Sequence, residues 1–286
     1  MPFLGRSISK LPAPSLPIGN VPSWAVLSLL MNGLLFITLL ALWREPSDPK
    51  PSVLPEAQAS VQSIDTAFFL PEVGEVRRLN YQQWVTLLQD EMDAMVAKNP
   101  DHLTILLGDS LSLWFPTELL PGRRVWMNQG ISGEQTQGVL DRLSVMNAAE
   151  VDTIFLMIGI NDLIWGQSDE QIIQNYRAIV ETLSQQHPQA QIVVQSILPH
   201  GADAATWESR DRLIALPNSR IQAMNESLKT IAADHGAEYL DLYALFSNGE
   251  GNLRPDLTTD GLHLNREGYL VWRSAIALYS QLELQP

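Results

Sequence analysis

The sequence predicts an α/β fold, with a five-stranded parallel sheet covered by helices on both faces and one transmembrane helix before it. Three observations carry this expectation. Five short apolar runs alternate with longer segments whose apolar residues recur at helical spacing. Turn-forming residues follow most of the runs. A charge-free apolar stretch of about twenty residues lies near the N-terminus.

Residues 1–23 read as a short tail. Residues 24–43, from Trp24 to Trp43, carry no charge, and their polar members are Ser28, Asn32 and Thr38. At about 1.5 Å per residue such a helix spans roughly 30 Å, the thickness of a hydrocarbon core. A tryptophan at each end suits the two interfaces. A cleaved signal peptide would have a shorter apolar region with a small-x-small site directly after it. Here Arg44-Glu45-Pro46 follows, and Ala57-Gln58-Ala59 lies well downstream. A retained anchor is therefore expected. The flanking cations tie, Arg6 and Lys10 against Arg44 and Lys50. The free α-amino group tips the balance toward an internal N-terminus and an extracytoplasmic (periplasmic-side) catalytic domain. Residues 44–63, rich in Pro, Ser and Ala, read as an extended tether. Residues 64–286 form the main domain.

In that domain, residues 81–98 have a helical pattern on Trp84, Leu87, Leu88, Met92 and Met95, stopped by Pro100. Strand candidates are residues 103–107, 125–128, 151–158, 191–197 and 237–242. Ser168 with Gln171 reads as a capping box ahead of a helix bearing Ile172, Ile173, Tyr176, Ile179, Val180 and Leu183. Ile221, Met224, Leu228, Ile231 and Ala232 form the next helical face, ended by Gly236. Asn265 caps a last helix with Tyr269, Trp272, Ile276 and Tyr279.

Open parallel sheets bind ligands at the carboxyl ends of their strands. Four groups stand there: Gly108-Asp109-Ser110, Asn128-x-Gly130-x-Ser132-Gly133, Gly159-x-Asn161-Asp162, and Asp260-x-x-His263. They are the parts of serine catalysis. A serine hydroxyl needs an adjacent base, and His263 is the candidate for Ser110. Asp260 would hold the imidazole tautomer. The N–H groups of Ser110 and Gly133 and the Asn161 amide would receive an oxyanion. Alone, each group is ordinary turn or cap chemistry; in combination at one sheet edge they point to a site.

These blocks resemble those of the GDSL-type, or SGNH, hydrolases, whose four signature residues fall here on Ser110, Gly133, Asn161 and His263. The likeness covers roughly residues 100–285. It implies a flavodoxin-like three-layer α/β/α sandwich and metal-free, cofactor-free ester hydrolysis by Ser110, His263 and Asp260. It is best with single-domain bacterial lysophospholipase, arylesterase and acetylhydrolase members, and it implies that Asp109 holds the loop rather than reacting.

Trp165, just past Asn161, is expected to line the substrate pocket; His200, after the fourth strand, lies at the same edge and reads as a pocket residue or, alternatively, as one behind the pocket or in contact with solvent. Residues 198–217 are expected to form part of the pocket rim. Trp114 and Phe115 read as core, and His102, His187 and His235 as caps or surface residues. No histidine pair has the spacing of a metal site, and Gly130-x-x-Gly133 is no dinucleotide fingerprint.

The balance of 18 Lys+Arg against 32 Asp+Glu gives −14, and residues 51–286 hold 14 basic against 30 acidic side chains. Such a surface repels polyanions, so nucleic acid is not an expected partner. The absence of cysteine excludes a disulfide framework and a cysteine nucleophile. The substrate class is an ester of a small molecule, lipid or glycan. An O-acyltransferase acting on a glycan would use the same groups, and a catalytically silent binding module would share the fold. Intact Ser110, Asp260 and His263 argue against the latter.

Overall fold

A computed structural model describes residues 79–122 and 124–284. The expected anchor at 24–43 and the tether at 44–63 lie outside these residues. Among the described residues no helix is long and apolar enough to cross a membrane.

Five parallel strands form one sheet: β1 (Leu103–Gly108), β2 (Val125–Gly130), β3 (Thr153–Met157), β4 (Gln191–Gln195) and β5 (Glu238–Leu240). Their order is β2-β1-β3-β4-β5. The chain starts at β1, steps to β2 on one side, then moves to β3 and outward on the other. The gap between β1 and β3 is therefore the switch point of a flavodoxin-like order.

The helices are α1 (Tyr81–Lys98), α2 (Ser110–Leu113), α3 (Thr136–Asp141), α4 (Ile160–Ile164), α5 (Asp169–Gln186), α6 (Arg210–Ala215), α7 (Asn218–Asp234), α8 (Tyr243–Phe246) and α9 (Arg266–Leu282). Alternate strand residues face opposite layers. Ile105, Leu107, Ile154, Leu156 and Val194 pack with Leu88 and Met92 of α1, Ile179 of α5 and Leu228 of α7. Leu106, Phe155 and Val193 pack on the other side with Phe246 of α8 and Trp272 and Ile276 of α9. Three layers result. Trp272 is fully buried, and its indole N–H donates to Gln195 Oε1 at 2.7 Å, which meets the polar demand that burial creates.

Helix α1 coincides with the expected span. Its N-terminus carries a capping box between Asn80 and Gln83 that the apolar pattern did not flag. At α5 the expected box is half made. Ser168 accepts from the Gln171 N–H, but the Gln171 amide turns to Asn175 Oδ1 at 2.9 Å. Strand β5 is shorter than expected because the N–H groups of Leu242 and Tyr243 donate to Ser196 Oγ, at 2.8 and 3.0 Å, instead of extending the ladder.

Candidate active site

Ser110 is the first residue of α2, directly past β1. Asp109 caps this helix, its Oδ1 accepting from the Leu111 N–H at 2.9 Å. As the first helical residue, Ser110 has an N–H with no intrahelical acceptor. Asp109 is fully buried, and its second carboxylate oxygen has no hydrogen-bond partner. Burial pushes its carboxyl up to about 7, against the Leu111 N–H, and the charges of Glu134 and Asp162 add to the rise.

His263 arrives from the loop before α9. That loop is closed by pairing of Thr258 with Leu264 and by the Thr259 N–H donating to the His263 carbonyl at 3.0 Å. Asp260 Oδ1 accepts from the N–H groups of Leu262 and His263, at 2.9 and 2.8 Å. Its Oδ2 lies 2.8 Å from His263 Nδ1. Burial raises the Asp260 carboxyl, but the hydrogen bonds from the His263 ring, its N–H and the Leu262 N–H outweigh burial and hold it below the usual range. An ionised Oδ2 keeps the proton on Nδ1, so the Nε2 lone pair faces Ser110 Oγ, 3.2 Å away.

The remaining groups come from the loops after β2 and β3. The first loop joins the end of β1 through the Ile131 N–H, which donates to the Gly108 carbonyl at 3.1 Å. Gly133 has φ +76°, a conformation that disfavours a side chain, and a Cβ there would meet no atom within 4 Å. Open space thus lies over its backbone. Asn161 is buried in α4, and its Nδ2 donates to the Glu134 carbonyl at 2.9 Å. That bond uses one of the two amide hydrogens.

The pocket expectations divide. Trp165 ends α4 with its N–H on the Asn161 carbonyl at 2.9 Å, and its indole is 49% exposed, with the Arg212 guanidinium 4.2 Å from the ring centroid. His200 departs from the pocket-lining reading and takes the place behind it. It is 1% exposed; its Nδ1 accepts from the Ala202 N–H at 3.0 Å, and its Nε2 lies 2.6 Å from the Leu216 carbonyl. With both nitrogens engaged by main chain, it braces the 198–217 segment from within instead of lining a cleft. Burial lowers its pKa, against the Leu216 hydrogen bond. The segment itself clasps the histidine loop: Thr206 and Trp207 N–H groups donate to the Asp260 carbonyl at 2.8 and 3.0 Å. Gly261, at φ +86°, allows this approach, since a Cβ there would lie 2.6 Å from Ala205 Cα. Trp114 also departs from its core reading. It is 49% exposed, whereas Phe115 is buried as expected.

The sequence pattern of the GDSL-like lipase/acylhydrolase family matches residues 106–271, more than half of the chain. The chain belongs to this family. It is accordingly a carboxylic ester hydrolase. It is 26% identical over 183 residues to the platelet-activating factor acetylhydrolase IB subunit alpha1 of Bos taurus, covering 60% of this chain and 72% of the relative. An N-acylneuraminate cytidylyltransferase of Streptococcus agalactiae is 26% identical over 181 residues, covering 63% of this chain but 39% of that protein. Among solved structures, a platelet activating factor protein from Streptococcus pneumonia superposes with a TM-score of 0.59 at 25% identity, covering 69% of this chain and 95% of that one. A GDSL-like lipase from Bacteroides thetaiotaomicron shares the fold, with a TM-score of 0.56 at 16% identity and coverage of 69% and 98%.

Several groups that build the site of this GDSL-like hydrolase carry no sequence signal of their own. Glu134, next to Gly133, forms a two-point buried ion pair with Arg142: Nε to Oε1 at 2.8 Å and an η nitrogen to Oε2 at 2.6 Å. The same η nitrogen donates to the Gln129 carbonyl at 2.7 Å, tying the pair to the end of β2. Asp162 accepts from the Thr136 N–H at 2.9 Å and from its hydroxyl at 2.5 Å, while the Asn175 amide donates to the Thr136 hydroxyl at 2.8 Å. These bonds lock the Gly133 loop to the Asn161 helix. An acidic residue followed eight positions later by arginine is too common a pattern to announce such a pair. Among the described residues no three His, Asp or Glu side chains gather as a metal-binding group.

Proposed function

We propose that the protein hydrolyses its ester through an acyl-enzyme on Ser110. The observation that carries this reading is the unbroken chain Ser110 Oγ, His263 Nε2, His263 Nδ1, Asp260 Oδ2, with contacts of 3.2 and 2.8 Å. His263 takes the hydroxyl proton as Oγ attacks the carbonyl carbon. Charge builds on the carbonyl oxygen and is received by the N–H groups of Ser110 and Gly133 and by the free hydrogen of the Asn161 amide. The imidazolium returns its proton to the departing alkoxide, which leaves as the alcohol. Water then attacks the acyl-enzyme as His263 takes its proton, and the Oγ–acyl bond breaks as the imidazolium returns that proton to Ser110 Oγ, releasing the acid. Asp260 stays ionised and stabilises the imidazolium in both halves.

Trp165 forms one wall of the pocket. The acetylhydrolase named among the relatives makes a short acyl ester the first substrate to test. The apolar segment 24–43 anchors the chain in a membrane, with the catalytic domain on the extracytoplasmic side.

The test is hydrolysis of p-nitrophenyl esters of increasing acyl length by the full-length protein, beside Ser110→Ala. Loss of at least about 10³-fold in kcat by the folded variant is the expected result. Equal rates in both proteins would remove Ser110 from the reaction. New ester formed when a sugar acceptor is added would instead assign acyl transfer.

A further inference from the structure

Trp114 ends the helix that begins with Ser110, its N–H donating to the Ser110 carbonyl at 3.0 Å. Its indole centroid lies 4.3 Å from that of the His263 imidazole, with the planes tilted by 42°. Phe115, the next residue, does what a core aromatic does: it is buried and meets Tyr269 and Trp272 edge-on at 5.2 and 5.1 Å. Trp114 does not. About half of it stays in solvent, and the aromatic ring it meets is that of His263. A large aromatic side chain is thus kept at the surface, directly after the short helix that begins with the serine and against the imidazole.

We propose that Trp114 is a positioning residue for the reaction, its ring face holding the imidazole on Ser110 Oγ and stabilising the positive charge His263 gains when it takes the serine proton. The π-face of an indole is negative and attracts a cation within about 6 Å of its centroid. The inference rests on His263 being the base. From its own loop, His263 meets the Asp260 carboxylate at its Nδ1 edge. From the nucleophile helix it meets Ser110 Oγ and Trp114, with Asp109 one residue before. From the 198–217 segment, main-chain N–H groups of Thr206 and Trp207 reach the Asp260 carbonyl. Asp260 thus supports the imidazolium at its edge, and Trp114 supports it through its face.

The chain has five histidines, few enough for each ring to be followed by NMR as pH is varied. Wild type, Trp114→Phe and Trp114→Leu are compared, with the His263 signal assigned from a His263→Gln protein. In Trp114→Leu the His263 midpoint is expected to fall by roughly half a pH unit, a three-fold change in its proton equilibrium. The acidic limb of kcat/KM should move with it, and kcat should drop about three-fold for the same interaction energy. Trp114→Phe keeps an aromatic face and should stay near wild type on all three counts. An unmoved His263 midpoint in Trp114→Leu overturns the proposal. So does equal damage in both variants, which would mark Trp114 as a packing or substrate contact. If the wild-type acidic limb does not follow the His263 midpoint, the general-base reading fails, and the catalytic half of this inference fails with it. A shifted midpoint in that case would still show the ring contact, which separates the two failures.

Discussion

The side-chain amide of Asn161 and the main-chain carbonyl of Glu134 are joined at 2.9 Å, so the loop after β2 dictates how the residue after β3 presents its second amide hydrogen. The orientation of the Asn161 amide is therefore fixed by that carbonyl. On the proposed mechanism, replacing it with alanine removes one oxyanion donor, and with it the loop contact. Asn161→Ala is expected to lose roughly 10²–10³-fold in kcat with little change in KM. Steady-state kinetics alongside a thermal melt would check this; a KM effect without a kcat effect would count against the oxyanion role.

Asp260 has separate duties for its two oxygens. Oδ1 holds the loop through Leu262 and His263 N–H groups, and Oδ2 holds the imidazole. Asp260→Asn can keep the first duty and fail the second, because an amide N–H facing Nδ1 forces the wrong tautomer. A fall on the order of 10³–10⁴-fold in kcat with Tm nearly unchanged is expected. A crystal structure of the variant with the His263 ring unmoved would complete the check.

Asp109 bears on stability through pH. Its folded pKa, about 7, lies above the 3.8 of an ordinary aspartate. The folded protein therefore binds a proton that the unfolded chain has already released between those values. This contribution is complete below about 4 and is lost as pH rises toward 7. Asp109→Asn keeps an acceptor for Leu111 and cannot ionise. The Tm of Asp109→Asn minus that of wild type should grow more positive from pH 4 to pH 7, measured by calorimetry at fixed ionic strength. A flat difference would mean that Asp109 ionises without cost in the fold.

The Glu134–Arg142 pair is buried on both sides. Removing one partner strands the other charge. Glu134→Leu and Arg142→Met should each cost ~3–5 kcal/mol by chemical denaturation. The double variant should cost less than the sum of the two, since no charge is then left unpaired. Strict additivity would show that the pair does not act as a unit.

Much of this architecture is written in local pattern. The apolar runs of β1, β3 and β4 and the helical stripes of α1, α5, α7 and α9 are legible because each element must bury one face, and burial imposes a period on the residues that do it. Strand limits are less legible: β2 runs two residues past its expected end, and β3, β4 and β5 are shorter than expected, because pairing gives way to side chains such as Ser196 and Asn225 that take up the next N–H groups. Ser110, Gly133, Asn161, Asp260 and His263 are legible as candidates because an open parallel sheet offers its ligand edge at the strand ends, and the fold joins Ser110, His263 and Asp260.

Chain order thus implied a parallel sheet, the edge where ligands bind and the residue types needed for acyl transfer at that edge. It did not imply which side chains turn toward that edge. His200 and Trp114 are the clearest cases. Both follow strand ends, yet the first is drawn inward by two main-chain partners and the second is left outside against His263. Likewise, Glu134 is brought to Arg142 and the Thr206–Trp207 backbone to Asp260 by contacts between separate strand-end loops. Periodicity reports the burial of an element against the sheet. Hydrogen bonds among loops satisfy polar groups that packing has already enclosed, so their partners exist only once the sheet has brought the loops together.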